Sequence, residues 1–422
     1  MFLKFSFIIA RIKFLSLSKA LVCPRDSPKE SLTYGGAGST PAPFERPAHS
    51  GTEDGWGKRG VTTIKLFFIL CLAIAGNSSV NAQQPTGTYQ HRIDTLNKNI
   101  YRYFYDSAKA LYYETNNIKA GEKPHSYLWP LCALLRASNE AETLQPERNY
   151  MQPVIKAIDQ YYSPLPPAPG YQSYVAKEEK DDRFYDDNQW IGIACIDAFN
   201  RTKKQEYLEI AKNIYHFMMT GYDAAAGGGL YWKEGDNTTK NTCSNGPAIL
   251  IALQLYKITN DKSYFDTALI LYNWVNRHLR SPRGVYFDNI KIPSLKIDSV
   301  VYIYNTGTML QSNVLLYNIT GNKKYLQEAQ RISKAAEKVF YKNYKLPGNY
   351  WFNAVLLRGY EELYKVDKNK ERLQFFIDDA NRIWDEEKNG IGLVGKKNKR
   401  KTLIDQAAMI EIYARLAQLD SN

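Results

Sequence analysis

Two pairs of adjacent aspartates, Asp181–Asp182 and Asp186–Asp187, fall within seven positions of the run "DDRFYDDNQW" (181–190), the second pair set between Tyr185 and Asn188. Neighbouring Cα atoms are about 3.8 Å apart, so adjacent aspartates at a loop-to-helix entry can turn both carboxyl groups into one cleft, roughly 5 Å apart. That spacing suits a nucleophile and acid/base pair in glycoside chemistry with retention (about 5–5.5 Å) better than the wider pair of an inverting mechanism (about 6.5–9.5 Å). A helix N-terminus would stabilise the ionised member. Burial and like-charge repulsion would keep a proton on the other. The plainer alternative is an N-cap aspartate with a second acid in the first turn, facing water.

The surrounding composition bears on that choice. The chain has 32 Tyr and 7 Trp, many of them in segments that read as loops, including Tyr185, Tyr231, Trp232, Tyr304 and Trp351. Flat rings beside amides such as Asn188, Asn245, Asn305 and Gln406, with Asp405 next to the last, offer what a sugar face and its hydroxyls require. The same rings at helix starts would serve equally as core.

Other chemistries find less support. The net charge is +12; ten basic and five acidic residues lie in the first 82, which leaves +7 for the rest. The lysines are scattered ("TKKQEY", "NDKSY", "GNKKY") rather than massed in a stripe, so no nucleic-acid partner is expected. CxxC and HExxH spacings are missing and the five histidines are far apart, so no metal or other cofactor is expected. Beyond residue 82 the cysteines are Cys132, Cys195 and Cys243; the first two sit in apolar helical runs and read as small core residues.

With 44% hydrophobic and 23% charged residues over 422 positions, the chain can bury a large core. Apolar residues recur at three- and four-residue spacing over 91–116, 126–138, 150–163, 187–201, 205–221, 246–258, 262–279, 306–319, 323–340, 350–365, 368–385 and 403–419, which predicts twelve helices. "AFNRTKKQEYLEIA", "LYKITNDKSYFDTA" and "LYNITGNKKYLQEA" repeat one pattern, with Tyr207, Tyr264 and Tyr325 at matching positions. Each unit reads as a helical hairpin turning at a short lysine-rich link, and six such hairpins can close into a ring. The connectors between units ("GYDAAAGGGLYWKEGDNTTKNTCSNGP", "RSPRGVYFDNIKIPSLKIDSVVYIYNTG") are long, Gly-rich and aromatic, as functional loops are. "YDDN", "CSNGP", "YIYNTG" and "LIDQ" all stand just before an apolar helix, so one rim should carry the site. Asp181 and Asp182 read as a solvated turn.

The N-terminal part is organised differently. Basic Lys58, Arg59 and Lys65 lead into the apolar run "KLFFILCLAIAG" (65–76), closed by the small residues of "SSVNA". This predicts a signal peptide over 61–82 with cleavage after Ala82, and hence export to the periplasm or the extracellular space. The run is short for a membrane span, and the bulky Ile69 and Leu70 before Cys71 disfavour a lipid anchor there. Residues 1–60, with the Gly/Pro/Ser-rich "YGGAGSTPAPFERPAHSGTEDGWG", cannot build a core and read as a disordered leader or the product of a misplaced start. Residues 83–422 then form one domain, expected to be monomeric and not membrane-inserted after cleavage.

"DRFYDDNQWIGIACIDAF", "GGGLYWKE", "KNTCSNGPAILIALQLYKIT", "YIYNTGTMLQSNVLLYNITG", "NYWFNAVLLRGYEELY" and "LIDQAAMIEIYARLA" together resemble the bacterial endo-α-1,6-mannanases of glycoside hydrolase family 76, from about Tyr101 to Leu419. The resemblance implies an all-α (α/α)6 barrel, with Asp186 as nucleophile and Asp187 as acid/base of a retaining endo-hydrolase of the α-mannan backbone. Some relatives transfer the glycosyl intermediate to a sugar instead of water, so transglycosylation is the close alternative. A non-catalytic glycan-binding ring would not need both aspartates, and a helical interaction scaffold would have short regular turns in place of aromatic connectors.

Overall fold

The computed structural model describes residues 86–397 and 399–420. The leader expected at 1–60 and the signal peptide expected at 61–82 lie outside the described residues. Among the described residues, twelve α-helices form two concentric rings. The inner ring is α2 (Leu128–Leu144), α4 (Tyr185–Thr202), α6 (Thr242–Thr259), α8 (Ile303–Thr320), α10 (Tyr350–Asp367) and α12 (Leu403–Asp420). Each inner helix packs on the next, and α12 closes the circle on α2. The outer ring is α1 (Thr86–Phe104), α3 (Met151–Ile158), α5 (Gln205–Met219), α7 (Lys262–His278), α9 (Lys323–Phe340) and α11 (Gln374–Glu387). The described residues form the (α/α)6 barrel that the family resemblance implies and the twelve-helix periodicity agrees with, its last helix pair made from α12 and α1.

Sequence separates the rings. Inner helices such as α6, α8 and α12 are buried on nearly every face, whereas outer helices such as α9 bury one stripe and expose the other. Inner helices approach closely where side chains vanish: a Cβ on Gly307 would lie 2.8 Å from the Leu356 backbone, and one on Gly359 would lie 2.9 Å from the Gly307 carbonyl oxygen. Four inner helices end alike, with Lys203, Asn260, Gly321 and Lys368 at φ of 60°, 57°, 68° and 56°. Each donates its amide to the carbonyl four residues back. The repeated tyrosines follow these turns and join neighbouring outer helices, Tyr264 edge-on to Tyr215 at 4.7 Å and Tyr325 to Tyr272 at 5.7 Å.

Three of the shifts in the predicted boundaries have a clear local cause. The helix expected over 91–116 stops at Phe104, because Asp106 accepts the amides of Ala108 and Lys109 and Ala110 takes φ 53°; strands β1 (Tyr105–Asp106) and β2 (Leu111–Tyr112) follow. A second short hairpin, β3 (Tyr162–Ser163) and β4 (Gly170–Tyr171), truncates the helix expected over 150–163. The segment 368–385 begins as a 3-10 turn, Lys370–Leu373, before α11.

All long connectors gather at the rim formed by the N-termini of the inner helices. Two of them pair into an antiparallel sheet, β5 (Tyr231–Lys233), β6 (Asp236–Asn241), β7 (Phe287–Lys291) and β8 (Ile297–Val301), in that order, with Asn241 opposite Asn289. Towards the other end, buried ion pairs crowd between the inner helices: Arg136 on Glu411 (2.6 Å), and Arg415 on Glu361 (2.7 Å), Glu140 and Glu411 (3.0 Å each). No helix among the described residues is long and apolar enough to cross a membrane.

Candidate active site

A cavity of about 850 Å³ opens at the connector rim. Its floor is the first turn of α4, where Phe184 is the N-cap and Asp186 and Asp187 are the second and third helical residues. The N-terminal dipole and unpaired amides there favour negative charge. Protein encloses both carboxyl groups on every side but the cavity. Burial raises the pKa of Asp186, offset in part by the Cys243 thiol and the Trp232 indole. Asp187 is driven much higher, by burial and then by the charge of Asp186. The pair is therefore asymmetric: Asp186 ionises first and Asp187 holds a proton. Trp232 Nε1 donates to Asp186 Oδ2 at 3.2 Å, while Asp186 Oδ1 has no hydrogen-bond partner and is left to act on a ligand.

The wall over Asp186 is held from behind. Arg183, 5% exposed, grips Glu234 with two hydrogen bonds of 2.6 and 2.7 Å, and donates to the carbonyls of Leu165, Pro166 and Ala168. Glu234 lies in the β5–β6 turn that carries Trp232, whose ring meets Phe184 at 4.9 Å. Trp232 is 40% exposed, as a ring awaiting a ligand would be. Trp232→Phe, which keeps a ring and loses the indole N–H, should cut kcat about tenfold with KM nearly unchanged, and should shift the acid limb of the pH profile upward. Trp232→Ala should raise KM as well; steady-state kinetics of the two variants separate the roles.

The structure brings Asp186, Asp187, Trp232, Tyr304 and Trp351 together in the lining. Trp351 packs against Trp129 and Trp190, and Tyr304 against Phe352 at 4.1 Å. The other residues expected to bind substrate stand outside this lining. Asn188, Asn245 and Gln406 are fully buried and tether connectors to helices: Asn188 bonds both backbone groups of Tyr171, Asn245 those of Leu230, and Gln406 those of Val394. Each also caps a carbonyl one turn back, on Phe184, Asn241 and Thr402 respectively. They build the rim and stand outside the cavity lining, with both amide donors and one acceptor site of each already engaged by the backbone. Asn245→Ala should therefore cost roughly 2–3 kcal/mol of stability, read as a lower Tm, with KM of the folded protein unchanged.

Asn305 is likewise fully buried, 3.5 Å from Asp288 Oδ1. Tyr185 is 3% exposed, its ring tilted against Phe217 and its hydroxyl on Thr220. Tyr231 is 4% exposed and donates to Asp223; since alternate residues of a strand face opposite ways, its neighbour Trp232 takes the cavity side. Asp405 stands outside the lining, its pKa pushed up to about 6 by burial. Asp181 and Asp182, read as a solvated turn, border the cavity mouth, with Asp182 paired to Lys233 at 2.9 Å.

Two residues that the sequence did not single out are Asn241 and Asn289, opposite each other on β6 and β7. Both are more than nine-tenths buried and line the cavity, and the Oδ1 atom of each lacks a partner. Asp288 accepts from Asn289 Nδ2 at 2.9 Å and orients that amide. With Asp186 Oδ1 and the unpartnered indole nitrogen of Trp351, they supply both donors and acceptors. Their signal in sequence was polar residues inside the long connectors, but the pairing that joins residues 48 positions apart on two connectors is not local. The whole arrangement suits a neutral polyhydroxyl ligand.

Comparison with known proteins gives a consistent result. The family described as Glycosyl hydrolase family 76 matches residues 88–407. Mannan endo-1,6-alpha-mannosidase DCW1 of Saccharomyces cerevisiae is 27% identical over 184 residues, 40% of this chain and 41% of its own length, so the chain spans about two fifths of that relative. Among solved structures, a family 76 glycoside hydrolase from a bovine Bacteroides thetaiotaomicron strain superposes with a TM-score of 0.74 at 26% identity, covering 79% of this chain and 78% of the other. A family 76 mannosidase from Bacteroides thetaiotaomicron gives 0.73 at 25% identity, covering 79% and 99%.

Proposed function

The chain belongs to glycosyl hydrolase family 76, and from that membership we propose that it is a retaining, endo-acting hydrolase of the α-1,6-mannosidic bonds of a mannan backbone. One observation carries the reading: two adjacent aspartates of unequal acidity on the floor of an aromatic-walled cavity with unpartnered amides. Asp186 Oδ1 attacks the anomeric carbon while Asp187 gives its proton to the departing glycosidic oxygen, leaving a mannosyl ester on Asp186. Asp187, now ionised, takes a proton from water, which attacks the same carbon and releases the sugar. Two inversions give net retention. Trp232 stabilises the ionised Asp186 before attack and again once the ester is released.

Unbranched α-1,6-mannan should yield a ladder of oligosaccharides early in the reaction, with the α-anomer formed first. Release of mannose alone would overturn endo action, and an initial β-anomer would overturn retention. Transglycosylation uses the same intermediate with a sugar as acceptor. It would show as products longer than the substrate when short mannosides are supplied.

Export through the segment at 61–82 and action as a monomer complete the proposal. Sequencing the N-terminus of the secreted protein tests the first, and a mature chain beginning upstream of Lys65 overturns it. Sedimentation tests the second.

A further inference from the structure

We propose that the outer wall of the barrel carries a second glycan-binding groove, between α1 and α3, that holds a stretch of the same polysaccharide away from the catalytic cavity; the inference rests on the substrate reading above. Helix α3 is only eight residues long, where its counterparts in the outer ring have 14 to 19. The outer ring is therefore incomplete beside it, and the inner helix α2 shows through as a floor at Leu134 and Ser138. The opening is a cavity of about 540 Å³, within the range of small-ligand clefts.

Its walls have the chemistry of a sugar site. Tyr101, Tyr112 and Tyr150 line it. Tyr101 is 68% exposed, unusual for a large ring on a helix, and is held flat by stacking on Tyr105 at 5.4 Å and 27°, which in turn leans on Tyr112. A fixed, exposed ring of this kind offers an apolar face to the C–H surface of a hexose. Beside it, Asn97 Nδ2 is buried in the groove with no hydrogen-bond partner, a donor for a hydroxyl or ring oxygen. The charged groups do not converge into an ion site. Lys98 is on α1 and Arg148 on the α2–α3 turn, and Asp94 is already bonded by Gln90 and Gln145. A neutral polyhydroxyl chain is the ligand that uses the rings and the amide without demanding a single sign of charge.

The test uses the full chain made inactive by Asp186→Asn with Asp187→Asn, titrated with α-1,6-mannotriose in a calorimeter. Two classes of site are expected. Adding Trp232→Ala should weaken the cavity class alone, and adding Tyr101→Ala should weaken the other class roughly tenfold; Tyr101 is exposed, so the variant should fold, and an unaltered Tm checks it. A single class, lost with Trp232→Ala and indifferent to Tyr101→Ala, overturns the second groove and leaves the catalytic reading standing. No binding at all overturns both. Saturation of the groove by inorganic phosphate and not by mannotriose, read from the same Tyr101→Ala comparison, also overturns the proposal.

Discussion

Asp186→Ala should lower kcat/KM on α-1,6-mannan by roughly 10⁴-fold or more, because no other carboxylate in the cavity can form the mannosyl ester. Asp187 serves as the proton donor, Asp181 and Asp182 stand at the cavity mouth, and the half-buried Asp288 has its carboxyl engaged by Asn289 and Asn305. Truncating an ordinary buried polar group destabilises, but here the opposite sign is expected. Both site aspartates have pKa values raised by folding, so the folded state holds protons that the unfolded chain would release. Stability is therefore lost as pH climbs from the unfolded aspartate pKa, about 3.9, through the raised folded values, and the site costs the fold something at neutral pH. Asp186→Asn and Asp187→Asn should melt at or above the wild-type Tm at pH 7, and the advantage should vanish near pH 3. A variant that is inactive and also markedly less stable at neutral pH would make Asp186 a structural residue.

The division between what the sequence makes legible and what it does not follows the range of the interactions. Helix periodicity is local, so each of the twelve predicted helices corresponds to an observed one. The largest miss is the end of 91–116, where a single aspartate captures two amides and turns the chain. The lysine-rich turns were visible because a left-handed C-cap followed by a docking tyrosine recurs almost residue for residue. Aromatic connectors likewise announced a rim. What could not be read was the direction of each side chain on that rim. Tyr231 and Trp232 are neighbours in sequence and opposites in role, as strand geometry requires. Asn188, Asn245 and Gln406 look like sugar ligands in sequence but serve the backbone, since a connector crossing a buried rim must have its amides and carbonyls paired. Asn241 and Asn289, which do face the cavity with open acceptors, owe their position to a strand pairing between two separate connectors.

Asp187→Ala should abolish nearly all activity on mannan while sparing the first step on an activated substrate. The leaving group in mannan is a sugar alkoxide, which departs only if Asp187 protonates it; a dinitrophenyl α-mannoside leaves without help. With that substrate the variant should form the mannosyl ester on Asp186 at a rate close to wild type and then stall, because the residue that would activate water is gone. A burst of one equivalent of dinitrophenol, followed by slow turnover, is the expected trace. Azide is an anion that needs no base, so adding it should restore turnover and give α-mannosyl azide, the second inversion at a carbon already inverted once. The wild-type pH profile should be bell-shaped: its acid limb reflects protonation of Asp186 and its alkaline limb the loss of the proton that burial and Asp186 hold on Asp187. In Asp187→Ala the alkaline limb should disappear for the activated substrate, since protonation of the leaving group no longer contributes. A β-configured azide would mean direct displacement with no ester on Asp186. An alkaline limb that persists unchanged would assign the proton to some other group.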